Sequence, residues 1–313
     1  MLNRRFLRIK IMQALYAYFQ APETPIREAE KELLSTFNNI NTLYLWLLSL
    51  LKEVHVMAEN SIEEAKNKKL PKQQDLNPNT RFIQNSFLKS LSADKIISAI
   101  LEKKKIRWGN DDDLVRKIFN DIKKSNAYQS YMQDSTLTIE NEKKFVLDLF
   151  EEVIEEHEFF HYYFEEKNVH WADDLFVACI GLRKTIDTFD GSKVQLQDLY
   201  KNEEEDIEFS KNLFSLCIQN NSRFQQMISE KTVNWEVERI AQMDVLLMKM
   251  ALTEVMFFEN IPVKVSLNEY IDISKEYSTP KSKVFINGIL DKIVIEQKRE
   301  NKIVKTGRGL KEN

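Results

Sequence analysis

Glycine and proline are scarce, with six of each in 313 residues. No glycine precedes Gly109, and no proline lies between Pro78 and Pro262. Turn-rich β architectures and glycine-built phosphate loops need these residues at set positions. Accordingly there is no G-x-G-x-x-G, no P-loop and no G-x-S-x-G, which removes the nucleotide-binding and hydrolase classes that rest on them. Cysteine is limited to Cys179 and Cys217, with no C-x-x-C. That excludes a disulfide scaffold and predicts a reduced, cytoplasmic protein with two small core thiols. The longest strongly apolar run, Leu43 to Leu51, is too short to span a bilayer. The N-terminus is basic but has no apolar h-region or small-residue cleavage site, so neither a signal peptide nor a membrane partner is expected.

What is present is globular in composition. Hydrophobic residues make up 43% and charged residues 30%, and the length allows a large core or two domains. The net charge of −4 is unevenly spread. Residues 1 to 10 carry Arg4, Arg5, Arg8 and Lys10 with no acid, and residues 297 to 313 carry six basic side chains against Glu300 and Glu312. Each end is therefore +4, which leaves −12 on residues 11 to 296. Two basic ends on an acidic body point to a local polyanion contact and not to a general nucleic-acid coat.

Helical spacing recurs throughout and strand-like alternation is rare, so the fold class is all-α. A first helix, about 3 to 19, has a core stripe of Leu7, Ile11, Ala14, Leu15 and Tyr18, with Arg5, Arg8, Met12 and Tyr16 on a neighbouring flank. Helices are predicted at 26–38, 41–66, 93–106 under a Ser92 cap, and 111–125 with Asp111 to Asp113 at its positive end. The Lys103-Lys104-Lys105 run reads as a solvated helix end. A repeat then appears at a spacing of 64 residues: Phe145, Leu149, Phe150, Ile154, Phe160 and Glu166-Lys167-x-Val169-x-Trp171 match Phe209, Leu213, Phe214, Ile218, Phe224 and Glu230-Lys231-x-Val233-x-Trp235. This predicts a duplicated helical hairpin. The next helix, 235 to 258, is apolar nearly all round and should be central, its methionines serving as core filling.

The C-terminal stretch IPVKVSLNEYIDISKEYSTPKSKVFINGILDKIVIE, residues 261 to 296, reads as two helices separated by Thr279-Pro280, a cap followed by a proline at the first helical position. Gly288 sits inside the second helix at a cost of about 1 kcal/mol relative to Ala. Tight helix packing there is the simpler reason; a ligand coming close to the backbone is the other.

This stretch resembles the C-terminal end of the bacterial transcription antitermination factor NusB family, through VSLNEYIDISKEY and SKVFINGILDKI and through the preceding WEVERIAQMDVLLMKMALTEVMFFENIP. RRFLRIKIMQALYAYFQ likewise resembles that family's arginine-bearing first helix. The likeness covers residues 3 to 20 and about 205 to 296. It implies a NusB-like helical bundle, with an additional helical region between the first helix and the C-terminal part. The expected organisation is an N-terminal helical part over 1–135, a C-terminal part over 136–297 that includes the repeat, and a basic, disordered tail over 298–313.

The resemblance further implies a factor, not an enzyme and without a cofactor, that binds boxA-type RNA of ribosomal leader transcripts. Its partners would be the ribosomal protein NusE and the RNA polymerase antitermination complex; the sequence leaves a homodimer open. The RNA contacts carried over are Arg4, Arg5, Arg8, Gln13 and Tyr16 on the first helix, and Ser282, Lys283, Phe285 and Asn287 around the start of the last. Phe6 interrupts the basic run where the family often continues it. Lys281 stands where the family often has an acid. Some rRNA cytosine methyltransferases carry a NusB-like domain, but with an appended α/β domain for which no room follows residue 296.

One rival motif stands apart. His157-Glu158-Phe159-Phe160-His161 fits H-E-x-x-H, the zinc metallopeptidase pattern, in which Glu would serve as general base for a metal-bound water. No G-x-x-H follows, so a third ligand would have to be His170 or a distant Glu such as Glu203. The repeat pairs His157 with Asn221 and His161 with Gln225, which favours a chance match.

Overall fold

The computed structural model describes residues 1–21, 23–109, 111–136, 138–155, 157–232 and 241–310. Among them the chain is all-α, with no strand. It forms two compact units. One comprises Met1 and Phe37–Leu199; the other comprises Leu2–Thr36 and Tyr200–Asn313.

The first unit is built on helix α2, Ile26–Lys66, which contributes its first residues to the other unit. Two helices are predicted here, and the structure has one. Phe37, Ile40, Leu43, Tyr44 and Leu47 are all buried, so a single apolar stripe crosses the weak Asn38-Asn39 pair, and burial outweighs propensity. There follow α3 (Gln73–Leu76), α4 (Ser86–Ala93), α5 (Lys95–Lys103), α6 (Asp112–Lys124), α7 (Asn126–Gln133) and α8 (Ile139–Leu149). A π-helical stretch, Phe150–Glu155, extends α8, and α9 (Glu158–Lys167) and α10 (Trp171–Asp187) complete the unit. The cap of α5 is Asp94, whose carboxylate accepts from the Ile96 and Ile97 amides at 2.8 and 3.0 Å. Ser92, expected as that cap, instead meets His55 Nδ1 at 2.9 Å. The core is aromatic: Trp108 stacks on Tyr163 at 5.2 Å, meets Trp46 edge-on at 4.9 Å, and donates its indole N–H to Ser49 Oγ at 2.6 Å.

The second unit packs α1 (Arg4–Gln20), α11 (Glu203–Gln219), α12 (Asn221–Lys231), α14 (Val263–Tyr277) and α15 (Ser282–Arg299) against α13 (Gln242–Phe257). Leu246 to Leu252 are all buried, as expected of a central helix covered on several sides. The described helix begins after Ala241, whose backbone is extended, with φ −58° and ψ 133°; its predicted bound, Trp235, lies outside the described residues. α15 starts late, at Ser282: the Ser282 hydroxyl takes the Thr279 amide at 3.1 Å, so Thr279-Pro280 forms the turn before the helix. Gly288 does not mark tight packing, since a Cβ there would meet nothing within 4 Å.

The basic tail, expected to be disordered, lies along residues 258–260. Thr306 N–H donates to the Glu259 carbonyl at 3.1 Å, Lys305 Nζ donates to the Phe258 carbonyl at 2.8 Å, and a Cβ on Gly309 would collide with the Glu259 carbonyl oxygen. Backbone pairing, not composition, fixes it.

The repeat is visible in element order. Residues 139–155, α9 and α10 correspond, 64 residues on, to α11, α12 and α13. Phe145, Leu149 and Phe150 are buried, and so are Phe209, Leu213 and Phe214. The last helices differ in start, at 171 and 242, and Val233 and Trp235 lie outside the described residues.

Candidate RNA interface

Helix α1 is started by Asn3, whose side chain accepts from the Phe6 amide at 3.0 Å. Its arginines then turn to different neighbours. Arg8 is only 3% exposed, and its guanidinium is held by Glu254 through Nε at 2.8 Å and Nη2 at 2.7 Å. Glu254, itself fully buried, also accepts from Ser266 Oγ at 2.7 Å and from the Tyr270 hydroxyl at 3.0 Å. Burial opposes the charge on Arg8, but the hydrogen bonds and charge of Glu254 outweigh it, so the guanidinium is more basic than usual. An ion pair this deep, with its lone pairs satisfied, is a structural element. Its donors point inward, not toward a phosphate.

Arg5 lies at the surface with 42% of its side chain exposed, forked onto Glu269 at 2.9 and 3.1 Å and onto Asp272 at 2.9 Å. The Glu269 hydrogen bond leads in raising its pKa. Arg4 pairs with Asp206 at 3.2 Å and covers the Phe209 ring at 4.3 Å; burial is the leading cause of its lowered pKa. Gln13 is half-buried, and Tyr16 is 40% exposed.

Of the second group, Ser282 is buried and donates to Asp244 Oδ2 at 2.9 Å, while Ser278 donates to the other oxygen of Asp244. Lys283 is exposed and Phe285 half-buried. Asn287, also exposed, donates to Asp291 at 3.0 Å. α13 touches the helices that carry both groups. At its start it meets both the end of α1, through Gln20 and Gln242 at 3.2 Å, and the start of α15, through Asp244 and Ser282. The arginine end of α1 meets α13 at Glu254, twelve residues on and so roughly 18 Å away along the helix. Tyr16 and the Lys283–Phe285 segment therefore flank one helix end, and the arginines lie at the other.

Sequence reasoning missed the acids that answer the arginines. A signal was present in Glu254, a lone carboxylate in the apolar run MALTEVMFF, which needs a buried cation. The H-E-x-x-H reading is not supported by geometry. His157 occupies the N-cap position of α9 and its ring faces Asp121 at 3.6 Å, whereas His161 Nε2 meets the Glu155 carbonyl oxygen. No cluster of three candidate ligands occurs among the described residues. No described helix is long and apolar enough to cross a membrane.

Among its described residues the second unit thus packs five helices against α13, with a buried Arg–Glu pair joining α1 to α13. Residues 183–294, which run through most of it, match the model of the NusB family. The same likeness is found with individual proteins named transcription antitermination protein NusB. That of Salinibacter ruber is 41% identical over 103 residues, 33% of this chain and 64% of the relative. That of Chloroherpeton thalassium is 42% identical over 98 residues, 31% and 46%. That of Natranaerobius thermophilus is 35% identical over 74 residues, 24% and 53%. The chain thus spans between 46% and 64% of the length of these relatives. No solved structure matches. The likeness predicted for about 205 to 296 falls within this match up to residue 294; that of residues 3 to 20 lies outside it.

Proposed function

We propose that this protein is a non-enzymatic, RNA-binding transcription antitermination factor of the NusB type. The observation that carries the reading is the family match over residues 183–294, on a helical unit whose first helix is basic. In this reading the protein binds boxA-type RNA together with NusE and joins the RNA polymerase antitermination complex that promotes ribosomal RNA transcription. The mechanism is assembly: a protein pair tethers nascent RNA to the polymerase.

Within that reading the residues divide by what they can reach. Tyr16 and Phe285 offer ring faces on which bases stack, and Lys283, Asn287 and Gln13 offer polar contacts. Arg4 and Arg5 would share their donors between RNA phosphates and Asp206, Glu269 and Asp272. Arg8 and Ser282 hold the helices that carry these groups. A gel shift on boxA-type and scrambled RNA, with and without NusE, tests the proposal. Preferential retention of boxA-type RNA in the presence of NusE is expected; equal or absent retention of both would overturn it.

A further inference from the structure

Between the C-terminal half of α1, α12 and the first turns of α13 lies a cavity of about 470 Å³. That is within the roughly 300–1,000 Å³ of small-ligand sites. Three kinds of group in its walls bear on ligand chemistry, beside aliphatic side chains and the Ser229 and Thr232 hydroxyls. Tyr16 and Phe19 present aromatic rings, Asn221, Gln225 and Gln242 present carboxamides, and Lys249 presents an ammonium group. Lys249 is 8% exposed, and its Nζ donates to Asn221 Oδ1 at 2.6 Å, 5.5 Å from the centre of the Phe19 ring. Among the described residues no carboxylate forms an ion pair with it. Burial lowers its affinity for a proton. An ammonium group has three donors, and the neutral amide takes one. Among the described residues only a neutral amide answers this buried ammonium group, and buried charged groups in a cleft mark candidate ligand sites.

This lining selects a ligand class. A purely apolar molecule would strand the carboxamides and the ammonium group. A simple anion would use one cation and waste the rings and the amide carbonyls. A planar heterocycle with both donors and acceptors on its rim uses all three: stacking on the rings, paired hydrogen bonds to the amides, and acceptance from Lys249. We propose that this cavity receives one unstacked base of the bound RNA strand, and that Lys249 selects an oxo base, guanine or uracil, by donating to its carbonyl oxygen. The inference rests on the RNA-binding reading and adds a base-selective subsite to it. Adenine and cytosine present an amino group where guanine and uracil present that oxygen, and an ammonium donor meets an amino donor unfavourably.

The test is the affinity of the full chain for oligouridine and oligocytidine strands of equal length at one salt concentration. The variants are Lys249→Met, Gln225→Ala at the exposed mouth, and Lys283→Ala outside the cavity. The wild type should bind oligouridine about tenfold more tightly than oligocytidine, as one good base-edge contact provides. Lys249→Met should bring the two close to equal by weakening oligouridine, and Gln225→Ala should narrow the gap. Lys283→Ala should weaken both strands alike. Thermal melting shows whether Lys249→Met is folded; if it is not, Gln225→Ala decides. Equal wild-type affinities, or a uridine preference that survives the cavity substitutions, would overturn the subsite while leaving RNA binding standing. Binding of neither strand would likewise overturn the subsite, and the boxA-type gel shift with NusE decides the RNA-binding reading separately.

Discussion

Arg4, Arg5 and Arg8 look alike in the sequence and differ in the structure. The resemblance assigns all three to RNA contact, but the helix turns Arg8 onto the buried carboxylate of Glu254 and leaves Arg5 at the surface. Removing the Arg8 guanidinium strands Glu254 beside two hydroxyls. Arg8→Met should therefore destabilise the protein by about 3–5 kcal/mol, read as a lowered denaturant midpoint. Arg5→Ala should cost about 0–1 kcal/mol, because its pair is solvated. Equal midpoints for the two variants would mean that the buried pair does not hold α1 to α13 and α14. Gly288 carries the opposite expectation. It is helical, exposed and faces open space, so Gly288→Ala should stabilise by about 0.5–1 kcal/mol. A loss of RNA affinity in that variant, with stability gained, would show that a ligand approaches the backbone there.

Helices were legible where a single apolar stripe decided them, and their ends were not. The stripe of α2 runs through Asn38-Asn39, which propensity alone would break. The starts of α13 and α15 are set by the non-helical Ala241 backbone and by the hydrogen bonds of Ser282, which periodicity does not encode. The centrality of α13 was legible, and Leu247, fully buried, tests it: Leu247→Ala should cost about 2–5 kcal/mol. The tail was not legible, because composition says nothing of backbone pairing. Its attachment should depend on pH. Burial lowers the Lys305 pKa to about 8. A released tail therefore binds a proton more readily between pH 8 and the ordinary lysine range. Attachment should be weakest below about pH 8 and strengthen as pH rises above it. Anisotropy of a fluorophore on the tail should rise over that window in the wild type and stay flat in Lys305→Met. A flat wild-type profile would show that Lys305 is not buried when charged.

At the scale of the molecule, each of the two units holds one copy of the sequence repeat. The first copy, residues 145–187, lies in the unit that the family match barely enters, and the second, 209–251, lies in the unit that it largely covers. The candidate face was proposed from the resemblance, and the fold class was legible because long apolar stripes survive in sequence. The division of that face into an arginine end and a Tyr16–Lys283 end was not, because it depends on which helix each end of α13 touches. The most direct measurement is the affinity for boxA-type RNA, with NusE present, across a range of salt for the wild type, Tyr16→Ala and Lys283→Ala. A stacked ring is worth about 1–3 kcal/mol, so Tyr16→Ala should weaken binding by that much and leave the salt slope unchanged. A phosphate contact contributes about 0.7 to the slope on single strands, so Lys283→Ala should weaken binding and flatten the slope by up to about that amount. RNA affinities and slopes identical in all three proteins would place the RNA surface elsewhere and contradict the account.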